Sequence, residues 1–331
     1  MKVIKFFAIT AMAAAMITSC SNEDELSQSN YPSDNIIRVT AGVNNAKTRA
    51  EGAGTPLEQP LSLTVVNKNA PKYTYVDKLF SKTSGDWACS ETLLWQKSDA
   101  LVDIVAFAPA QTGKFNGVYA NESIQPIAYS VADDQSTSSA NNDLLYYYAK
   151  DFNPGESLDK GKLKIQFNHA FCMIDINVTL GTEFNKPEVL KESPIVKVTL
   201  GGTKIAANVD VTNAASVVTA SEEAAATDIT TTKGSFTPAE NADKKADPEK
   251  NAISRFSCIA IPQTVGANTF KVSLMTADKL YEWTSAEKVE LKSGYRYKLE
   301  LTMGNNVVLL KGGSITATKW TEIAGGSLET D

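Results

Sequence analysis

KLKIQFNHAFCMIDINVTL, residues 162–180, is the longest regular pattern in the chain. Leu163, Ile165 and Phe167 alternate with Lys164, Gln166 and Asn168, the period-two signature of a strand with one face in a core. Ile174, Ile176, Val178 and Leu180 then alternate with Asp175, Asn177 and Thr179. The two stretches are out of phase, with apolar residues at odd positions first and at even positions afterwards. One extra residue swaps the faces of a strand, so a bulge or corner is expected over residues 169–172. The only histidine of the chain, His169, falls there between Phe167 and Phe171 and reads as a structural residue rather than a catalytic one.

Working outward, the same style of pattern recurs on both sides. Upstream, strands are expected over residues 61–66 (LSLTVV), 92–95, 101–108 (LVDIVAFA), 124–131 and 144–149 (LLYYYA). Pro109 stops the third of these, because proline cannot donate to a ladder. No stretch of this half carries a 3.6-residue period with caps. About seven strands would make a compact sandwich, with residues 133–142 (DDQSTSSANN) as a mobile loop. Downstream, residues 195–200, 204–209, 256–261, 269–275, 279–283 and 295–303 read as strands. Residues 214–250 are rich in Ala, Thr, Ser, Glu and Lys and read as a long, weakly structured insertion, with a short surface helix expected over 221–226. The isolated Gly201-Gly202 and Gly312-Gly313 pairs read as turns.

The expectation is therefore an all-β chain. At 331 residues it exceeds a typical domain, so two domains are expected in tandem: 50–155 and 156–331, divided near the turn Asn153-Pro154-Gly155. The pattern at 162–180 fits either half. A net charge of −6 and the lack of a basic cluster argue against a nucleic-acid surface.

The N-terminus has a different character. Lys2 and Lys5 precede an apolar run from Phe6 to Ile17, and Ile17-Thr18-Ser19-Cys20 is a small-residue cleavage site, so residues 1–19 read as a signal peptide. The run is too short for a permanent membrane span. The cysteine after the cleavage point resembles the lipobox of bacterial lipoproteins, which makes Cys20 the expected lipidation site. Acyl chains there would anchor the chain stably, since each buried methylene contributes roughly 0.8 kcal/mol. Residues 21–35 are polar and acidic and suit a flexible tether. Glu23, Asp24 and Glu25 are similar to the surface-export signal of Bacteroidetes lipoproteins, and read equally as a solvated linker. The other cysteines, Cys89, Cys172 and Cys258, are widely spaced, with no C-x-x-C pair. Cys172 and Cys258 lie in apolar runs and read as small buried hydrophobes; one disulfide among the three is allowed but not demanded.

Between the tether and the first sandwich lies IIRVTAGVNNAKTRAE, residues 36–51. Ile36, Ile37, Val39, Ala41 and Val43 make one strand. Asn44, Asn45, Lys47, Thr48 and Arg49 then form a polar basic loop, followed by Gly52, Gly54 and Pro56. Such loop tips are preferred sites of proteolytic nicking, and a cut between Arg49 and Ala50 would detach a single strand from everything downstream. Taken alone, Arg49 is one solvated cation among many; its place between a lipobox and a sandwich is what singles it out.

Enzymatic signatures are missing. A single histidine excludes a multi-histidine metal site, and there is no P-loop, no G-x-G-x-x-G after a strand and no G-x-S-x-G elbow. No enzyme activity and no cofactor are expected. Trp87, Trp95, Trp283, Trp320 and Tyr146, Tyr147 and Tyr148 would stack on sugar rings if exposed, but in strands such residues usually pack in the core.

As an ordered set, several segments resemble the Bacteroidales fimbrillins, the pilus subunits that include the major and minor fimbrillins of Porphyromonas. They are the lipobox at Cys20, Lys47-Thr48-Arg49-Ala50, Trp95 followed by DIVAFAP (103–109), Asp143-Leu144-Leu145-Tyr146, Phe167-Asn168-His169-Ala170, Ile261-Pro262-Gln263-Thr264 and Ser293-Gly294-Tyr295-Arg296-Tyr297. The resemblance implies two transthyretin-like β-sandwich domains and a precursor carried to the outer membrane on its lipid. An arginine-specific protease would remove the first strand (20–49 with its tether), and a strand of another pilus subunit would fill the vacated groove. The implied location is a surface-exposed fimbrium, with a host or bacterial adhesion receptor as a further partner. The donor is the C-terminal tail, where Ile315, Ala317 and Trp320 are the candidate pocket-filling residues beyond the Gly312-Gly313 hinge. Residues 307–310 read equally as an intramolecular edge strand. A cleavage site together with a donor fits a polymerising or tip-associated subunit; the alternative is a surface lipoprotein that binds glycan or host ligand without polymerising.

Overall fold

The computed structural model describes residues 30–44, 55–139, 142–181, 184, 191–239, 251–304, 308–310 and 315–320. The signal peptide, Cys20, Arg49, Ala50 and the Gly312-Gly313 pair lie outside the described residues.

The chain is nearly all β. The alternating pattern at 162–180 becomes two strands, Leu163–His169 and Cys172–Leu180, whose burial follows the apolar positions residue by residue. The phase change is not a bulge within one sheet. Leu163–His169 is hydrogen-bonded into an eight-stranded sheet and Cys172–Leu180 into a six-stranded one, so the chain changes sheets at Ala170 and Phe171. Both residues of this link are fully buried, which is why it reads as apolar rather than as a turn.

The eight-stranded sheet runs in the order Thr55–Pro56, Val39–Val43, Leu163–His169, Leu145–Phe152, Val102–Ala108, Leu61–Val66, Tyr75–Thr83 and Asp86–Cys89. Its centre explains the unbroken apolar runs. Val102, Ile104, Ala106 and Ala108 face one hydrophobic core, while Val105 and Phe107 face a second, so every residue of that strand is buried. The hairpin Tyr75–Thr83 to Asp86–Cys89 escapes a sequence reading because a register shift opposite Leu63 and Val65 spoils its alternation. Asp77 sits there in the core, accepting from Ser62 Oγ at 2.5 Å and from the Phe115 N–H at 3.0 Å. Residues 92–95 are not a strand; they make one bridge, Leu94 to Ile36. The run at 124–131 is split by Pro126 into Ser123–Ile124 and Ile127–Ser130.

The six-stranded sheet places Thr232–Thr237, Ile253–Ala260, Cys172–Leu180 and Tyr295–Met303 side by side, with Val308–Leu310 and Thr316–Lys319 both on the outer edge of Tyr295–Met303. A four-stranded sheet, Ile229–Thr230, Ile195–Gly201, Lys271–Thr276 and Leu280–Thr284, contributes to the same core. Ile127–Ser130 pairs with Ala206–Val209. Sheet membership therefore does not divide at Asn153-Pro154-Gly155: Leu163–His169 belongs with upstream strands and Ile127–Ser130 with downstream ones. Asn153 instead caps a single helical turn, Pro154–Ser157, through its side chain and the Gly155 N–H.

Two expectations are corrected. Residues 214–239 are not a weakly structured insertion: they hold Val218–Ala220, Ile229–Thr230 and Thr232–Thr237, with Val218 and Ile229 buried, and 221–226 form turns rather than a helix. β-Branched Val and Thr override the helix-forming alanines because they have a sheet to join. The remaining residues 240–250 lie outside the described residues. Nor is the stretch from Asp133 a free loop. Gln135 is fully buried and clasps Ile259, donating from Nε2 to its carbonyl at 2.9 Å and accepting its N–H at 2.8 Å.

The pair expected as a turn is divided: Gly201 is the last residue of the strand Ile195–Gly201, and the bend falls on Gly202. Gly202 has φ +83°, and a Cβ there would collide with the Thr269 carbonyl oxygen. Gly202→Ala is expected to destabilise the chain by about 1–3 kcal/mol, read from urea unfolding. An alanine variant as stable as the parent would show that this turn relaxes freely.

Candidate assembly site

The N-terminal strand is not a simple edge strand. Val39–Val43 lies parallel to Leu163–His169, in register from Val39 opposite Leu163 to Val43 opposite Phe167. Its other side is clasped at both ends. Towards the start, the Ile37 N–H donates to the Leu93 carbonyl and the Trp95 N–H to the Asn35 carbonyl, each at 2.8 Å. Towards the end, Gly42 and Val43 pair antiparallel with Pro56 and Thr55. Ile37, Val39 and Val43 point into the first core and are at most 4% exposed. Burial of such side chains stabilises by roughly 1.5–3 kcal/mol each. The strand thus fills an apolar slot and completes a backbone ladder at once.

Beyond the strand, the Asn44 N–H donates to the Phe167 carbonyl at 2.8 Å, and Asn44 Nδ2 to Asn168 Oδ1 at 2.7 Å. Arg49 and Ala50 themselves lie in the connection between Asn44 and Thr55, outside the described residues. Because Val43 pairs with Thr55, a cut in that connection leaves the strand held only by non-covalent contacts. Upstream, the exposed Arg38 guanidinium hydrogen-bonds Asp34 and holds its carboxyl down at about 2, a surface pair that adds little stability.

The tail occupies an edge. Thr316–Lys319 pairs antiparallel with Tyr295–Met303, Ala317 opposite Tyr297, and all four residues of the strand are exposed. Val308–Leu310 pairs with the other end of the same strand, the intramolecular alternative that the sequence left open. Ile315 and Trp320 are half-buried against the second core, whereas Ala317 is exposed. Next to Ile315 and Ala317 opens a groove of about 610 Å³ walled by Trp283, Tyr295, Tyr297 and Leu310. Burial pushes the Tyr297 hydroxyl up to about 12, and it donates to the Glu290 carbonyl at 2.8 Å. A strand with four exposed residues at a sheet edge buries little side-chain surface to hold it there.

One residue receives the tail. His169, the last residue of Leu163–His169, is buried; its Nδ1 lies 2.7 Å from Asp143 Oδ2, and its ring stacks on Trp320 with centroids 3.8 Å apart and planes 10° apart. Its structural role agrees with the sequence. That its partner is the tail tryptophan does not follow from any local pattern. The other aromatics are mostly packing: Trp95 is buried, while Trp87, Trp283, Tyr146, Tyr147 and Tyr148 are half-buried against one core or the other. Cys172 and Cys258 are buried free thiols pushed up by desolvation, and Cys89 is a half-buried free thiol. Among the described residues, no group of three or more His, Cys, Asp or Glu side chains is placed to hold a metal.

The profile of the fimbrillin-like family matches residues 37–320. No curated protein sequence matches the chain. Among solved structures, a candidate cell adhesion protein from Bacteroides ovatus superposes with TM-score 0.61 at 16% identity, covering 87% of this chain and 98% of the other. A fimbrial protein from Bacteroides vulgatus gives 0.51 at 16% identity, covering 86% and 99%. The tip fimbrial protein Mfa3 from Porphyromonas gingivalis, C-terminally truncated, gives 0.50 at 10% identity, covering 86% and 99%. At these identities the likeness is one of fold.

Proposed function

The chain belongs to the fimbrillin-like family, and we propose that it is a cell-surface pilus subunit, assembled by exchange of its first strand for a strand of another subunit. In this reading the precursor is exported as a lipoprotein anchored through Cys20 in the outer membrane. An arginine-specific protease cuts after Arg49, and the first strand leaves. The tail of a neighbouring subunit, with Ile315, Ala317 and Trp320 as its candidate contacts, then enters the groove. The two cores are read as two transthyretin-like sandwiches, and the role as structural, without catalysis.

The observation that carries this reading is the clasped first strand. It is the first described strand after the segment read as an export signal; Val39 and Val43 within it and Ile37 just before it lie in the core, and the residues that follow it in sequence include Arg49. Losing it would expose the Leu163–His169 ladder and the slots of Ile37, Val39 and Val43, an aggregation hazard unless a donor strand fills them. A contact of this kind is head-to-tail, and it propagates without closing.

N-terminal sequencing of surface-purified protein tests it. A chain starting at Ala50, with filaments visible by electron microscopy, is the expected result, and Arg49→Ala should abolish both. A surface chain that starts at lipidated Cys20 would instead support the non-polymerising lipoprotein that binds glycan or host ligand.

A further inference from the structure

A cavity of about 390 Å³ lies beside the ends of the strands Val39–Val43 and Thr316–Lys319, lined by Asn44, Tyr146, Asn168, His169, Gly294 and Trp320 among others. Asn44 closes it from the first strand through the bond to Asn168. Trp320 closes it from the tail by stacking on His169 and donating its N–H to the Gly294 carbonyl at 2.7 Å. His169 and Asn168 are adjacent residues of the one strand that both segments lean on. We propose that this seat couples the two segments, so that departure of the first strand loosens the tail of the same subunit. The inference rests on the strand-exchange reading and adds to it the residues that would keep a donor docked until its own subunit has been opened.

The chemistry of the seat supports a contact that can be released. Among the described residues the imidazole is hydrogen-bonded on one side only: His169 Nε2 and Asp143 Oδ1 are buried without a hydrogen-bond partner there, while Nδ1 faces Asp143 Oδ2. Trp320 therefore holds the tail by ring stacking and one backbone bond, contacts that a local opening can release. When Asn44 leaves, Asn168 loses its side-chain partner and Phe167 loses the donor to its carbonyl. Among the described strands, the end that presents His169 is then paired with Leu145 and Tyr146 alone.

Coupling between two sites is reciprocal, which makes it measurable in the uncut full chain by NMR-detected amide exchange. Trp320→Ala should speed exchange at the Asn44 amide about tenfold, and Asn44→Ala should speed it at the Trp320 amide by the same factor. His169→Phe, which keeps a ring in the seat, should preserve both cross-effects, and His169→Ala should remove them. Asn44 is exposed and Trp320 half-buried, so the two alanine variants leave the cores intact. Substitutions that speed exchange only within their own segment would overturn the coupling, as would cross-effects that survive unchanged in His169→Ala. Filament growth after loop cleavage separates the two ideas. Filaments without cross-effects defeat the coupling alone, whereas reciprocal factors without filaments uphold the coupling and defeat only the assembly reading.

Discussion

Trp95→Ala is expected to lower the unfolding free energy by about 3–5 kcal/mol, the range for deleting a large aromatic from a close-packed core. Trp95 is 2% exposed and stacks on Phe152 at 6.0 Å, so its removal leaves a hole that the neighbouring sheet fills only in part. The same residue clasps the first strand through its backbone, donating to the Asn35 carbonyl. Exchange at the Ile37 amide, which bonds Leu93, should therefore quicken along with the global loss of stability. Urea unfolding and amide exchange read the two effects separately. Trp283→Ala, which removes a half-buried ring in edge contact with Phe270, should cost much less. Equal losses for the two variants would show that Trp95 is no special support of this region.

A disulfide between Thr40→Cys and Lys164→Cys should abolish assembly without disturbing the fold. The two positions are register partners in the parallel pair and both are exposed. Neighbouring strands run about 4.8 Å apart, inside the Cα separation of about 4.4–6.8 Å that a disulfide spans. In a Cys89→Ser background, which removes the half-buried competing thiol, the oxidised chain cut at Arg49 should keep its N-terminal fragment on a non-reducing gel. It should form no filaments. Reduction should release the fragment and restore growth. Filaments grown from the oxidised, cut chain would mean that the first strand need not leave, and would end the exchange reading.

Much of this molecule was legible locally. The strands Leu61–Val66 and Tyr295–Met303 have the bounds that their patterns announce, because a strand with one or two faces in a core must place its apolar side chains with period two or in an unbroken run. Ile36 to Val43 was legible for the same reason, and the fimbrillin-like family was legible from the order of short segments. Less visible were the features that depend on a distant partner. The hairpin Tyr75–Thr83 to Asp86–Cys89 hides because its register is broken by the strand it pairs with. The segment 214–239 looked weak because its strands are short, and only neighbours such as Ile253–Ala260 make them stable.

By itself, the sequence determined that the chain is all β, that a strand pattern precedes a basic stretch with Arg49, and that the phase of alternation reverses beside His169. Each follows from side-chain type and spacing, which are local quantities. Only the tertiary structure decided what the reversal means: the chain crosses there from one sheet to another, through Ala170 and Phe171. It likewise decided that Asn44 and Trp320, 276 residues apart in number, line the same cavity beside His169. No periodicity encodes such a meeting, because it is set by the stacking of sheets and the path of the chain between them rather than by any residue's neighbours in sequence.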